Sequence, residues 1–264
     1  MKPEVRRPID VLKSTLKAPS VEEQFRNALK ENSGAFVASI IDLYNGDQYL
    51  QKCDPKEVVM EALKAATLKL PINKNLGFAW IVPYRSQGVQ RPQFQMGYKG
   101  YIQLAMRTGQ YRIINADIVY EGELQRVKKL TGEINFDGEK KSDKIEGYFA
   151  YIEMINGFSK TLYMSKEQIE AHAKKYSKSY AHSNSAWKTN FDEMAMKTVL
   201  RNLLSHYGFL SVEMMTAMDN DIKAESEVRD EEIMQHANKE EISVEDVEYE
   251  EQKPEQGETH FPEY

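Results

Sequence analysis

Apolar positions follow a helical period first, then an alternating one, then a helical one again. Between Val21 and Leu70 the helical signal comes from Phe25, Leu29 and Phe36, the apolar run Phe36 to Leu43, and then Val58, Val59, Ala62, Leu63 and Ala66. Asp54 followed by Pro55 is a helix start, with an acid as N-cap and proline in the first turn. Pro71 ends that helix, because proline lacks the amide the next turn needs. The period then shortens. Gly77 to Tyr84 (GFAWIVPY) is aromatic and β-branched, SQGVQRP reads as a turn, and QFQMG reads as a second short strand, which together predict a hairpin. In YKGYIQLAMRTG, Tyr101, Leu104 and Ala105 share a helical face and Gly109 is a stop. Arg112 to Tyr120 is a strand. Glu146 to Ile155 and Ser159 to Met164 predict a hairpin turning at Asn156-Gly157, and the polar stretch Gly132 to Asp143 reads as turns.

The helical period returns at Ser165. With Gln168 three residues on, it forms a capping-box pattern opening a helix through Lys175. A long helix is predicted from Ala186 to Tyr207, its apolar stripe Met196, Leu200, Leu203 and Tyr207 facing the core, and a short helix after Gly208. Residues 1–20, with three prolines and five basic residues, read as a mobile basic arm. From Asp219 large apolar residues are sparse and the chain reads as a disordered acidic tail. Helices, a strand-rich middle with one inserted helix, then helices again make an α+β fold rather than an alternating α/β one. The expected division is an arm (1–20), one domain (21–218) and a tail (219–264).

Charge adds a functional direction. The segment from Asp219 onward holds 17 of the 41 acidic residues but only 4 of the 35 basic ones, which leaves 31 basic against 24 acidic residues before it. A basic body with an acidic tail fits a nucleic-acid partner as well as a merely solubilising tail. The single cysteine, Cys53, excludes an intrachain disulfide and an all-cysteine zinc site within one chain. No run approaches the ~18 apolar residues of a membrane span, and the basic start lacks the apolar stretch of a secretory signal. The expected location is the cytoplasm.

Several chemistries lack their motifs. There is no G-x-x-x-x-G-K-[ST] loop, and Gly97-Tyr-Lys-Gly100 is not a dinucleotide fingerprint. His172, His182, His206, His236 and His260 have no metal-ligand spacing, and no serine sits in a nucleophile elbow. Asp137, Glu139, Asp143 and Glu146 could serve a metal-dependent nuclease, though solvated acids in turns are the plainer reading.

What is present suits a single strand. Lys174 to Lys188 reads KKYSKSYAHSNSAWK: Lys174, Lys175, Lys178 and Lys188 mixed with Tyr176, Tyr180 and Trp187. Lysines contact phosphates without sequence information and aromatics stack on exposed bases. The segment leads into a stripe of Trp187, Asn190, Met194, Lys197 and Arg201 at helical spacing. Tyr98, Lys99 and Arg107 form a second basic and aromatic group, with Tyr84 and Arg85 ending the adjacent strand and Lys74 a weaker candidate. The expected DNA contacts are Tyr98, Lys99, Arg107, Lys174, Lys175, Lys178, Trp187, Lys188, Asn190, Lys197 and Arg201. For the stripe, an exposed helix face with Trp187 under a loop is an equal alternative.

LKLPINKNLGFAWIVPY, FQMGYKGYIQLAMRTGQYRIINADIVYEGE, SKEQIEAHAKKYSKS and AWKTNFDEMAMKTVLRNLL, in that order, resemble the RecT family of phage and prophage single-strand annealing proteins. The G-Y-K-G-x-I-x-L-A-x-R-x-G and W-x6-M-A-x-K-T-x-x-R blocks carry the resemblance. It implies a β-β-β-α core, a curved antiparallel sheet backed by a long helix, with DNA in a groove along a ring or helical filament. It also implies ATP-independent binding of single-stranded DNA, annealing and strand exchange, without covalent chemistry. The implied partners are single-stranded DNA, the annealed duplex intermediate, further copies of the chain, a phage 5′-to-3′ exonuclease and a host single-strand binding protein, with no membrane. No cofactor is required, magnesium at most modulating DNA binding. Met196 and Asn202 stand where relatives often carry a further cation, which leaves Lys197 and Arg201 as the retained charges. The rivals are a metal-dependent nuclease and a single-strand protector that does not anneal.

Overall fold

Proline opens the first helices instead of breaking them. In the computed structural model of the chain, which describes residues 7–86, 88–181, 185–219 and 221, α1 runs Pro8–Leu16 and α2 Pro19–Leu29. Proline in a first turn loses nothing, because those amides have no intrahelical acceptor. Residues 8–20 thus differ from the arm expected of them. Leu12 and Leu16 are buried where α1 packs on α3 (Ser33–Asn45) and α4 (Pro55–Thr67). Asp54 caps α4 as its sequence suggests, accepting from the Lys56 amide at 2.9 Å.

β1 (Ala79–Ser86) and β2 (Val89–Met96) form an antiparallel hairpin, and most of the expected turn SQGVQRP belongs to its strands. Pro83 and Pro92 lie opposite each other in the register. The Phe94 and Met96 amides point away from β1, toward the carboxylates of Glu61 at 2.7 Å and Asp221 at 3.4 Å. Pro92, two residues earlier, shares that outward register, so the proline pair falls between the ladder bonds and interrupts none of them.

α5 (Tyr98–Arg107) is followed by β3 (Tyr111–Tyr120), the small hairpin of β4 (Arg126–Lys128) and β5 (Glu133–Asn135), then β6 (Ile145–Met154) and β7 (Ser159–Ser165). The main antiparallel sheet has the order β3-β6-β7. β5, the second strand of the small hairpin, lies in the stretch read as turns, and Phe136 beside it packs on Phe149 and Tyr163, with ring centroids 4.9 and 6.1 Å away. The β6–β7 turn at Asn156-Gly157 forms as its sequence predicts, with Gly157 at φ 85°.

Next come α6 (Lys166–Tyr176), α7 (Ala186–Thr189) and α8 (Phe191–Tyr207), and residues 212–219 form α9. The capping box of α6 is present in full, from Ser165 and Gln168. The helix expected over 186–207 is divided at Asn190 (φ −139°, ψ 53°). α8 packs on all three strands of the sheet and on α5, so it is covered nearly all round. Tyr148, Ala150 and Ile152 of β6 are fully buried, and the Tyr148 hydroxyl donates to Asp192 Oδ1 at 2.6 Å. Burial and that carboxylate push the Tyr148 pKa up. Tyr148→Phe should lower the unfolding free energy by about 1.5 kcal/mol, the scale of a hydrogen bond to a charged group. Urea titration reads it, and an unchanged midpoint would show the bond to be idle.

The fold is α+β, with N-terminal helices, antiparallel sheets and a long helix. The expected tail lies outside the described residues, apart from Asp219 and Asp221. No helix among the described residues is long and apolar enough to cross a membrane.

Candidate nucleic-acid interface

Two glycines set the start of α5. The Gly97 amide donates to the Phe78 carbonyl at 3.0 Å, and the Trp80 ring lies within 2.5 Å of where a Cβ on Gly97 would stand. A Cβ on Gly100 would overlap the Phe78 carbonyl oxygen and come within 2.7 Å of Met96 Cγ. The G-Y-K-G segment therefore has glycines where α5 runs against the backbone of residues 77–80, a packing role and not a phosphate cradle. One consequence is that Trp80, Tyr98 and Lys99 become neighbours. The exposed Lys99 side chain runs past Gly77, with Nζ 5.9 Å from the Tyr98 ring centroid. Burial raises the Tyr98 pKa, with smaller contributions from Glu193 and Asp117. α5 packs on α8, in whose first turn Asn190 Nδ2 donates to Glu193 Oε2 at 3.4 Å.

The lysine-rich segment reaches the same turn of α8. Lys174 and Lys175 are exposed in the last turn of α6, where cations complement the helix dipole, and Lys175 Nζ lies 5.1 Å from the Tyr176 ring. Beyond them a chain of rings runs Tyr180, Trp187, Phe191, Tyr148, with centroid spacings of 6.1, 5.7 and 6.1 Å. Trp187 is 5% exposed and meets Tyr180 and Phe191 edge-on, so it anchors the segment from beneath. That burial does not suit the base-stacking role read from its spacing. Lys188 Nζ sits 4.5 Å over the Tyr180 ring, and Lys166 Nζ 6.0 Å from Phe191. The Lys178 side chain lies outside what the structure describes.

The remaining candidates are placed elsewhere. Arg107, at the far end of α5, donates to the Leu68 and Lys69 carbonyls at 2.7 and 2.9 Å and so caps the end of α4. Burial lowers its pKa, opposed by Glu213. Lys197 and Arg201 are each only 9% exposed. Lys197 Nζ forms an ion pair with Asp221 Oδ2 at 2.9 Å, and Arg201 is also engaged within the fold. The stripe at helical spacing is thus split between the exposed Asn190, with the exposed Lys188 just before it as an entrance, and two covered cations. The spacing could not tell these apart, because a helical period groups residues by face without saying what covers the face.

One surface was missed by sequence reasoning. Trp80, Val82 and Tyr84 alternate on one face of β1, opposite Gln95, Gln93 and Arg91 of β2, and all but the exposed Arg91 are half-buried. Strict period-two reading of GFAWIVPY would have separated this face from Ala79 and Ile81, which are buried. It meets the start of α5 through the contact of Trp80 with Gly97. The acids of the nuclease alternative are dispersed: Asp137 accepts from Asn135 Nδ2 at 2.7 Å, and Asp143 pairs with Lys140 at 2.7 Å. Among the described residues, no three His, Cys, Asp or Glu side chains gather to hold a metal.

Relatives agree with the motif blocks. The chain is 53% identical over 208 residues to the uncharacterized protein YqaK of Bacillus subtilis (strain 168), covering 78% of this chain and 70% of that one. It is 28% identical over 221 residues to protein RecT of Escherichia coli (strain K12), covering 80% of each. The sequence pattern of the RecT family matches residues 34–235, most of the length. With the interface blocks and the relatives in agreement, this chain belongs to the RecT family, which acts in DNA recombination by single-strand annealing.

Proposed function

We propose that the chain binds single-stranded DNA without nucleotide hydrolysis and anneals complementary strands as a homo-oligomeric ring or helical filament. The observation that carries this reading is that two basic and aromatic groups stand on elements packed on α8. Tyr98 and Lys99 lie in the first turn of α5, and Lys188 and Asn190 where the lysine-rich segment enters α8. Lysines standing over tyrosine rings combine the two interactions a sequence-tolerant single-strand site needs, phosphate neutralisation and a π-face. Trp80 and the glutamine face of the hairpin extend the surface. The strand would lie with phosphates on the lysines and base edges free. Watson–Crick pairing then supplies all the specificity, and the protein relieves repulsion between two polyanions. No covalent step is involved, and the absence of a Walker-type loop from the sequence accords with ATP independence. A 5′-to-3′ exonuclease is the class of enzyme that would expose the strand, and a host single-strand binding protein the partner met on it.

The test is anisotropy with labelled oligonucleotides of differing sequence. The Lys99→Ala, Lys188→Ala double variant should bind all of them more weakly. It should also flatten the plot of log K against log salt by about 1.4, roughly 0.7 for each phosphate contact on a single strand. Wild-type affinity and slope in this variant would remove the interface. Electron microscopy with complementary oligonucleotides added in sequence tests assembly. Intact strands that shift but pair no faster would make the chain a protector, and strands shortened in magnesium a nuclease.

A further inference from the structure

Asp221 closes a site that is built for an anion. Its side chain is 2% exposed. Oδ2 accepts from Lys197 Nζ at 2.9 Å and from the Tyr101 hydroxyl at 2.6 Å, while Oδ1 accepts from the Met96 amide at 3.4 Å. A cation, a hydroxyl and an outward-pointing strand amide thus converge on one singly charged, acceptor-only group. They come from three separate elements, α8, α5 and β2, and the acid comes from none of these. It is itself helical and follows α9, which the buried side chains of Met214, Ala217 and Met218 hold to the body. Only the last turn has to open for the carboxylate to leave.

We infer that the Lys197–Tyr101–Met96 socket is a binding site for a nucleic-acid phosphodiester, occupied in cis by Asp221 until DNA displaces it. This rests on the single-strand reading above and says where that strand gains a further contact. A phosphodiester matches the carboxylate in charge and in being acceptor-only, so the same three donors serve both. Lys197 lies two turns along α8 from Asn190, so the socket continues inward from the exposed entrance. The chain after Asp221 carries 15 acidic and 4 basic residues, so a polyanionic segment is joined to the body at the socket itself. Competition there makes DNA binding conditional: a strand has to outbid a tethered carboxylate, which favours long strands with many phosphates over short ones.

The full-length protein with Asp221→Asn tests this, by anisotropy with labelled oligothymidylate over a salt series. Asp219→Asn, which removes the same charge from an exposed position, is the control. Asp221→Asn should bind about tenfold tighter at low salt and steepen the salt slope by about 0.7, one phosphate contact, while Asp219→Asn changes neither appreciably. Adding Tyr101→Phe to Asp221→Asn should remove part of the gain. Equal affinity and slope for Asp221→Asn and wild type would overturn the inference, and so would an equal gain in both Asn variants. If Asp221→Asn loses its cooperative unfolding transition, hydrogen exchange on the wild type decides. Saturating oligothymidylate should speed exchange of the amides in the last turn of α9 several-fold while the Met96 amide stays protected by its new acceptor, and unchanged or slower exchange in that turn counts against the socket. Wild-type protein that fails to bind the oligonucleotide sinks the single-strand reading itself, and the socket's ligand with it.

Discussion

Lys197→Ala should cost about 3–5 kcal/mol of unfolding free energy, because it strands the buried Asp221 carboxylate. The side chains of the pair are 11% and 2% exposed, so solvent can screen little of the loss. The Tyr101 hydroxyl and Met96 amide would still donate to the acid, which sets the lower end of that range. Lys197→Met combined with Asp221→Leu should recover part of the stability: the apolar pair leaves no buried charge, but the Tyr101 hydroxyl and the Met96 amide lose this acceptor. Urea unfolding of the three proteins reads this directly. A double variant as unstable as Lys197→Ala would mean that helix packing, and not the ion pair, is at stake. The comparison also separates two meanings of a lysine at this place. Lost DNA binding in Lys197→Ala is informative only at urea-free conditions where the variant is shown to be folded.

Gly100→Ala should be comparably severe, costing about 3 kcal/mol or more. Alanine favours a helix over glycine by about 1 kcal/mol, so propensity alone would make this change stabilising. The added Cβ, however, would overlap the Phe78 carbonyl oxygen, a backbone atom that no rotamer change can move aside, and press on Met96 Cγ. Relief requires α5 to shift from the hairpin, which also displaces Tyr101 and the socket. Gly34→Ala in α3 is the matched control, since nothing lies within 4 Å of its Cβ position. It should gain about 0.5–1 kcal/mol. Thermal melts of both variants settle the matter: a stabilised Gly100→Ala would mean that the close approach of α5 to residues 77–80 is not tight in solution.

Local chemistry was readable wherever one or two residues decide a conformation. Asp54-Pro55, the Ser165/Gln168 box and the Asn156-Gly157 turn all act through bonds to their own neighbours, and all three appear as the sequence implies. Errors came where a residue type has two meanings. Pro8 and Pro19 suggested an unstructured arm but begin helices, and Pro92 suggested a turn but occupies a ladder position that needs no amide. The β4–β5 hairpin was invisible because its polar strands are held by pairing and by Phe136 on the sheet, not by an alternating pattern of their own.

The candidate interface divides along the same line. From the sequence alone came the chemistry, lysines interleaved with aromatics, and the family that uses it, because composition and motif are properties of the chain itself. Accessibility was not among them. Asn190 and Lys197 belong to one stripe, yet Asn190 is exposed at the head of α8 while Lys197 is sealed by an acid 24 positions further on. Arg107, on the same helix as Lys99, became a helix cap because the end of α4 happens to lie beside it. Periodicity decides which side chains share a face, since it follows from backbone geometry. Whether that face meets water, a carboxylate or a carbonyl depends on contacts between segments distant in sequence, and those only the tertiary structure decided.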